Sequence, residues 1–368
     1  LSTFQNSYVV TNRAASDGGY GSHILPTGQL TFLTAPVPNA VPNYVSDASS
    51  FTALGTTSDG TLPAAFSAAL LADLAQTVDA NDRAYLTVFI HGLDTDWVGS
   101  VSDFGLVGCG LSGTNPEGGS LSTYDPIGRA CVPATLNAPY PGLVIGFSWP
   151  CVGTSIGAGF GLHRTRENAN VGVASLNNLI VALQALATNF SGGIYLCVVA
   201  HSEGNYCLQQ AASALASTAP GSLQQLVLLA PDLDTTALGA YTGKDPCGDG
   251  LSQVAAGVTA YWSTHDNVLG DLGNDAGYLA TQLWGTCIRD GTIGRLGKSG
   301  PPSDQTLYDN CTSLDCSNVV TTGQLCNGEE THVAYLYMPL VLQDIATVLV
   351  GGVPTGRSGS APFLTLEG

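Results

Sequence analysis

An apolar run from Ile194 to Ala200 stops abruptly at His201-Ser202-Glu203-Gly204, and apolar residues then recur at helical spacing over 205–216. A run of this length and β-branched content is a strand buried on both faces, which demands a parallel sheet covered by helices. A serine at the strand-to-helix junction, with small Ala200 two places before and Gly204 two places after, fits a turn tight enough to lift the hydroxyl above the sheet. The same turn aims the first N–H groups of the new helix beside that oxygen and favours negative charge there. The pattern x-x-S-x-G is weak alone, because a Ser N-cap on a buried helix would produce it without chemistry. Partners elsewhere in the chain must decide.

Strands of the same kind are predicted at 6–12, 29–35, 84–92, 142–150, 223–230 and 257–262, with helices at 64–78, 164–189 and 333–350. Strands alternating with helices imply an α/β fold, a mostly parallel central sheet with helices on both faces. The whole chain, 1–368, reads as one domain with loop insertions at 94–141 and 286–327. Both insertions are rich in Gly and Ser and carry cysteines, so they are expected to be disulfide-rich loops.

A serine hydroxyl becomes a useful nucleophile only when a base removes its proton, and the base needs a carboxylate to orient it. In strand–turn–helix nucleophiles the partners follow in the order Ser, acid, His. His23, His91 and His163 precede Ser202, and His201 is its neighbour directed elsewhere, which leaves His265 and His332. Asp266 follows the 257–262 strand, and His265 beside it should point away from it. His332 stands just before the last helix. Ser202, Asp266 and His332 therefore form the favoured triad. Asp232 or Asp234 with His332, or with His265, is the competing arrangement, and capping a helical turn is the plainer role for both aspartates. The 84–92 strand ends in His91-Gly92, and the loop after such a strand supplies one oxyanion donor. Leu93 and Asp94 are thus candidate backbone donors, with Glu203 as the other. Trp149, His91 and Asp94 are candidate substrate-binding residues; the plainer readings are packing for Trp149 and a loop-holding core histidine for His91.

Charge narrows the partners. Ten Lys and Arg against 28 Asp and Glu give a net charge of -18, which argues against nucleic acid and anionic membranes. No apolar run is long enough to span a bilayer. Seven of the ten cysteines stand among Gly, Asp, Asn and Ser, which points to an oxidising compartment, with Cys109 and Cys131 expected to close a loop. Cys197 and Cys207 read as core thiols or a bridge. No C-x-x-C pair occurs, and no metal or cofactor is expected. A chain beginning at Leu1 suggests a secreted or periplasmic form whose signal peptide has been removed, and a monomer is expected.

The blocks V-V-T-N-R, F-I-H-G, G-F-S-W-P, H-R-T-R-E-N-A, A-H-S-E-G-N, L-L-A-P-D-L-D, S-T-H-D-N-V-L and T-H-V-A-Y together resemble a bacterial alpha/beta-hydrolase family of unassigned function. The resemblance implies an alpha/beta-hydrolase fold, Ser202 as nucleophile, Asp266 as acid and His332 as base, and it supplies no substrate. Glu203 departs from the apolar or Met residue usual after the serine, and Cys151 from a serine usual after Trp-Pro. The expected activity is hydrolysis of carboxylic esters, lipase- or esterase-like, on a small-molecule or a lipid or polymer ester. Acyltransferase, thioesterase, peptidase and a non-catalytic binding protein on the same fold are the alternatives.

Overall fold

The apolar runs of the sequence become the middle of an eleven-stranded sheet. In chain order its strands are β1 (Asn6–Thr11), β2 (Leu30–Pro36), β3 (Thr52–Thr57), β4 (Ala84–Ile90), β5 (Leu143–Ser148), β6 (Ile194–His201), β7 (Leu223–Leu229), β8 (Ala255–Trp262), β9 (Cys311–Asp315), β10 (Arg357–Ser360) and β11 (Phe363–Leu366). They stand side by side as β10-β11-β9-β8-β7-β6-β4-β5-β1-β2-β3. All neighbours from β11 through β1 are parallel. Antiparallel strands finish both edges, β2 and β3 on one side and β10 on the other. The computed structural model describes residues 5–16, 19–37, 47–92, 96–112, 136, 138–150, 160–240, 249–266, 268–269, 296–301, 305–321 and 331–368.

Five longer helices accompany the sheet: α1 (Ala64–Leu74), α2 (Trp97–Ser112), α3 (Phe160–Asn189), α4 (Gly204–Thr218) and α5 (Pro339–Leu349). From β4 the chain steps outward to β5 through α2, then returns past β4 to β6 through α3 and goes on to β7 through α4. Right-handed crossovers put α2 on one face and α3 with α4 on the other. Accordingly α3 packs on α4, and α2 packs on α5. Because the direction of travel reverses between β4 and β6, a crevice opens beyond their carboxyl ends, where open α/β sheets bind ligands.

Several expectations are corrected. Residues 97–112, read as part of a loop, form α2, which buries Val101, Phe104, Val107, Cys109 and Leu111. Packing against β5 and α5 outweighs the glycines that made the segment look irregular. The 286–327 stretch, read as a disulfide-rich loop, contains the sheet strand β9. Cys311 and Cys316 bracket that strand as buried free thiols, and Cys197 in β6 is another, donating to the carbonyl of Leu349. Burial pushes the Cys197 and Cys311 thiols up to about 12. Cys131 lies outside the described residues, so the expected Cys109–Cys131 bridge falls there too, but Cys109 itself is a core residue and not a loop residue. The last helix starts at Pro339 and not at 333. Met338 before the proline is extended, as a pre-proline residue prefers, and a 3-10 turn, Ala334–Leu336, precedes it.

The C-terminal hairpin of β10 and β11 was not foreseen. Its anchor is an ion pair between buried Asp344 and half-buried Arg357: Arg357 donates from Nε to Asp344 Oδ2 at 2.8 Å and from its terminal nitrogen to Oδ1 at 2.5 Å. Tyr261 in β8 donates to the same Oδ1 at 2.6 Å. The forked guanidinium matches the carboxylate oxygen for oxygen, so the edge hairpin is tied to α5 and the sheet centre at once. Among the described residues no helix is long and apolar enough to cross a membrane.

Candidate active site

The junction of β6 and α4 is built as a sharp elbow. Ser202 has φ +53°, a left-handed conformation that costs a non-glycine residue about 1–3 kcal/mol and needs surrounding bonds to hold it. Those bonds are present. Ser202 N–H donates to Leu229 O at 2.9 Å, and Ser202 O accepts from the N–H groups of Asn205 at 3.1 Å and Asp232 at 3.2 Å. The Asn205 side-chain amide also donates to Ser202 O at 2.9 Å and to Leu229 O at 3.2 Å. Asn205 is fully buried, and nothing in its sequence context marked it as the brace of the elbow.

Two glycines give the elbow room. A Cβ at Gly204 would stand 2.5 Å from the carbonyl oxygen of His91, and one at Gly92 would stand 2.8 Å from the Cβ of Ser202. Either contact would force apart the ends of β4 and β6, so these places tolerate no side chain.

Opposite the serine, the turn before the 3-10 segment carries His332. Its Nδ1 donates to Asp266 Oδ2 at 2.7 Å, and its Nε2 lies 2.8 Å from Ser202 Oγ. A carboxylate only accepts, so the Nδ1 proton is fixed and Nε2 presents its lone pair to the serine hydroxyl. Asp266 is fully buried beyond the end of β8, and its Oδ1 accepts the N–H of Leu269 at 2.9 Å. The structure thus brings Ser202, His332 and Asp266 into one continuous hydrogen-bonded line.

The competing carboxylates are occupied differently. Asp234 Oδ1 accepts the N–H of Thr236 at 2.8 Å and its hydroxyl at 2.6 Å, the local turn-capping role. Asp232 is buried and supports the elbow through its backbone N–H. His265 is exposed, and its carbonyl accepts the hydroxyl of Thr331 at 2.5 Å. His265 therefore contributes backbone to the base loop, and its ring stays outside the line.

His91 and Trp149 clamp each other. The indole N–H of Trp149 donates to His91 O at 3.0 Å, and its backbone N–H donates to His91 Nε2 at 3.1 Å. His91 Nδ1 donates to Gly92 O at 2.9 Å, so both ring nitrogens are used. The rings stack with centroids 5.5 Å apart at 11°. Burial, then the nearby Arg13 charge, lowers the His91 pKa to about 3 and keeps the ring neutral. Both residues are buried, and their bonds lock the end of β4 to the end of β5, the plainer role that each position allowed. Leu93 and Asp94 lie outside the described residues.

Glu203 supplies the first N–H of the helical turn after the serine. Its side chain does not turn to solvent; it is wholly buried. Its carboxylate acts on Cys207, one helical turn on, whose thiol is raised to about 12 by burial first and then by Glu203. Ser202 Oγ faces His332.

No curated protein matches the chain. Among solved structures, phospholipase PlaB from Legionella pneumophila in complex with thio-NAD is similar at 15% identity with a TM-score of 0.22, over 64% of this chain and 38% of that one. The chain spans well under half of that protein's length. The family described as alpha/beta hydrolases of unknown function (DUF900) matches over residues 67–339, a span that takes in β4, the elbow, Asp266 and His332. The chain belongs to this alpha/beta hydrolase family.

Proposed function

We propose that the protein is a serine hydrolase that cleaves carboxylic esters through an acyl-enzyme. The observation that carries this reading is the unbroken line from Ser202 Oγ through His332 to Asp266, with contacts of 2.8 and 2.7 Å. Ser202 Oγ attacks the ester carbonyl while His332 Nε2 takes its proton. The tetrahedral intermediate collapses, the C–O bond to the alcohol breaks, and His332 returns the proton to the departing alkoxide. Water, deprotonated by the same Nε2, then cleaves the acyl-enzyme and Ser202 regains its proton. Asp266 holds the Nδ1 proton and offsets the imidazolium charge in both halves.

The oxyanion forms beside the N-terminus of α4, where the N–H of Glu203 is one donor and the N–H of Leu93, next to the fixed Gly92, is the other. Only the backbone N–H of Glu203 is assigned to this role; its side chain is buried. A secreted or periplasmic location belongs to the same reading and rests on the polar sequence context of Cys131, Cys247, Cys287 and Cys326.

Treatment with a fluorophosphonate followed by peptide mapping tests the proposal. Label on Ser202, together with a loss of short-chain p-nitrophenyl ester turnover by about 10³ or more in Ser202→Ala, is the expected result. Turnover retained in Ser202→Ala would move the nucleophile elsewhere.

A further inference from the structure

The nucleophile has a second histidine beside it whose ring the line from Ser202 to Asp266 does not use. His201, the last residue of β6, places its Nε2 2.9 Å from the backbone carbonyl oxygen of His332. A carbonyl only accepts, so Nε2 carries the proton and the tautomer is fixed. The two imidazoles lie with centroids 4.9 Å apart, tilted by 44°. The ring fits there because residue 92 is glycine: a Cβ at that position would stand 3.2 Å from His201 Nδ1.

The turn carrying His332 is held to its partners' strands by two bonds of different destination. Thr331 Oγ1 donates to His265 O and ties the base to the loop of the acid. His201 ties the base to the strand of the nucleophile. We propose, on the reading of Ser202, Asp266 and His332 as a triad, that His201 is a positioning residue that sets the reach of His332 Nε2 to Ser202 Oγ through its bond to the His332 carbonyl. It must do so uncharged, since His332 becomes an imidazolium 4.9 Å away during the reaction. Burial, and next the charge of His332, lowers the His201 pKa to about 3, which meets that requirement.

Two replacements separate the bond from the mere filling of space. His201→Gln can present an amide N–H near the position of Nε2, whereas His201→Leu fills the space without a donor. In His201→Leu, kcat for a p-nitrophenyl ester and the rate of fluorophosphonate labelling should both fall about 10²-fold with KM unchanged, the scale of a misplaced catalytic group. His201→Gln should recover kcat to within about threefold of the parent. The far-downfield proton resonance of His332 Nδ1 bonded to Asp266 supplies a readout that needs no substrate: it should persist in the parent and the Gln variant and broaden away in the Leu variant. Unchanged kcat and resonance in His201→Leu would overturn the proposal, and so would an equal loss in Gln and Leu. If the resonance behaves as expected while the parent neither labels nor turns over ester, the positioning role stands and the esterase reading fails.

Discussion

Two carboxylates lie buried around β8, and the contrast between them separates a structural charge from a chemical one. Asp344, on α5, meets Tyr261 from within the strand and Arg357 from the edge hairpin. Asp266, just past the end of the strand, meets a backbone N–H and one nitrogen of His332. The partner of Asp344 is a guanidinium that never gives up its charge, so the pair is closed and its energy is spent on geometry. The partner of Asp266 is an imidazole whose charge can come and go, and whose other nitrogen faces a hydroxyl. Burial is common to both, so burial alone says nothing about chemistry. What differs is whether the charge on the far side of the hydrogen bond is permanent.

Breaking the open pair has the largest expected effect. Asp266→Asn keeps shape but loses control of the Nδ1 proton, and in the serine-protease example that change costs about 10⁴ in rate. The melting temperature should change little, because Leu269 N–H still finds an oxygen at position 266. Steady-state kinetics beside thermal melts would show it. An Asp266→Asn variant within tenfold of the parent would put the acid elsewhere.

Breaking the closed pair should do the reverse. Arg357→Met leaves the Asp344 carboxylate buried with only the Tyr261 hydroxyl; removing one member of a fully buried ion pair costs about 3–5 kcal/mol, and with Arg357 half-buried the loss should lie toward the lower end, about 3 kcal/mol. Urea unfolding should show a loss of that size while the remaining folded enzyme keeps its specific activity. The double variant Arg357→Met, Asp344→Asn should regain part of the stability, since no uncompensated charge remains. A large loss of activity at unchanged stability would erase the distinction between the two carboxylates.

Two neutral histidines predict how the fold responds to acid. His91 and His201 have pKa values lowered to about 3, mainly by burial, whereas an unfolded histidine titrates near 6.5. Between those values the unfolded chain binds protons that the folded chain refuses. Their contribution to stability is therefore complete above about pH 6.5 and is lost as the pH falls toward 3, at about 1.4 kcal/mol per pH unit for each ring. Unfolding free energies from pH 7 to 4.5 should slope accordingly, and His201→Gln, which cannot titrate, should remove about half of the slope assigned to this pair. An identical slope in that variant would show that position 201 is charged in the fold.

The end-of-strand positions were legible because each has a local signature. Ser202 follows an apolar run and precedes a helix, Asp266 follows another strand, and His332 precedes the last helix; chain order then links residues that the fold draws within 2.8 Å. Segments stabilised from a distance were not legible. Gly99, Gly105, Gly108 and Gly110 make α2 look like a loop, and only its packing on β5 and α5 makes it a helix. The β10–β11 hairpin is short and rich in Gly and Ser, and the charge pair that seats it is invisible without Asp344 beside it. His201 was read as directed elsewhere, but its bond reaches a carbonyl 131 residues on, a separation that no local pattern encodes. The cysteines misled for a related reason. Cys311 and Cys316 have polar neighbours in the chain yet lie in the core, because a strand buried between two others needs no apolar sequence on either side of it.

The smallest expected effect concerns Asp234, which shares the Pro231-Asp232-Leu233-Asp234 turn and was a rival for the acid. Its Oδ1 holds the N–H and the hydroxyl of Thr236, two residues on, and the bond to the N–H is the local equivalent of a helix cap. Replacing such a capping carboxylate by alanine costs about 1 kcal/mol. The turn lies directly after β7, whose last residue, Leu229, accepts the Ser202 N–H, and Asp232 between them donates to Ser202 O. A frayed turn at 234–236 is still two residues beyond those bonds, so the elbow should keep its geometry. Asp234→Ala is therefore expected to lower stability by about 1 kcal/mol and to leave kcat/KM within about twofold. Parallel urea melts and ester kinetics on Asp234→Ala and Asp266→Asn would place the two aspartates at opposite corners of a stability–activity plot. Should Asp234→Ala instead lose activity by orders of magnitude at unchanged stability, the turn after β7 would have to be part of the chemistry, and the contrast between capping and orienting carboxylates would not hold for this protein.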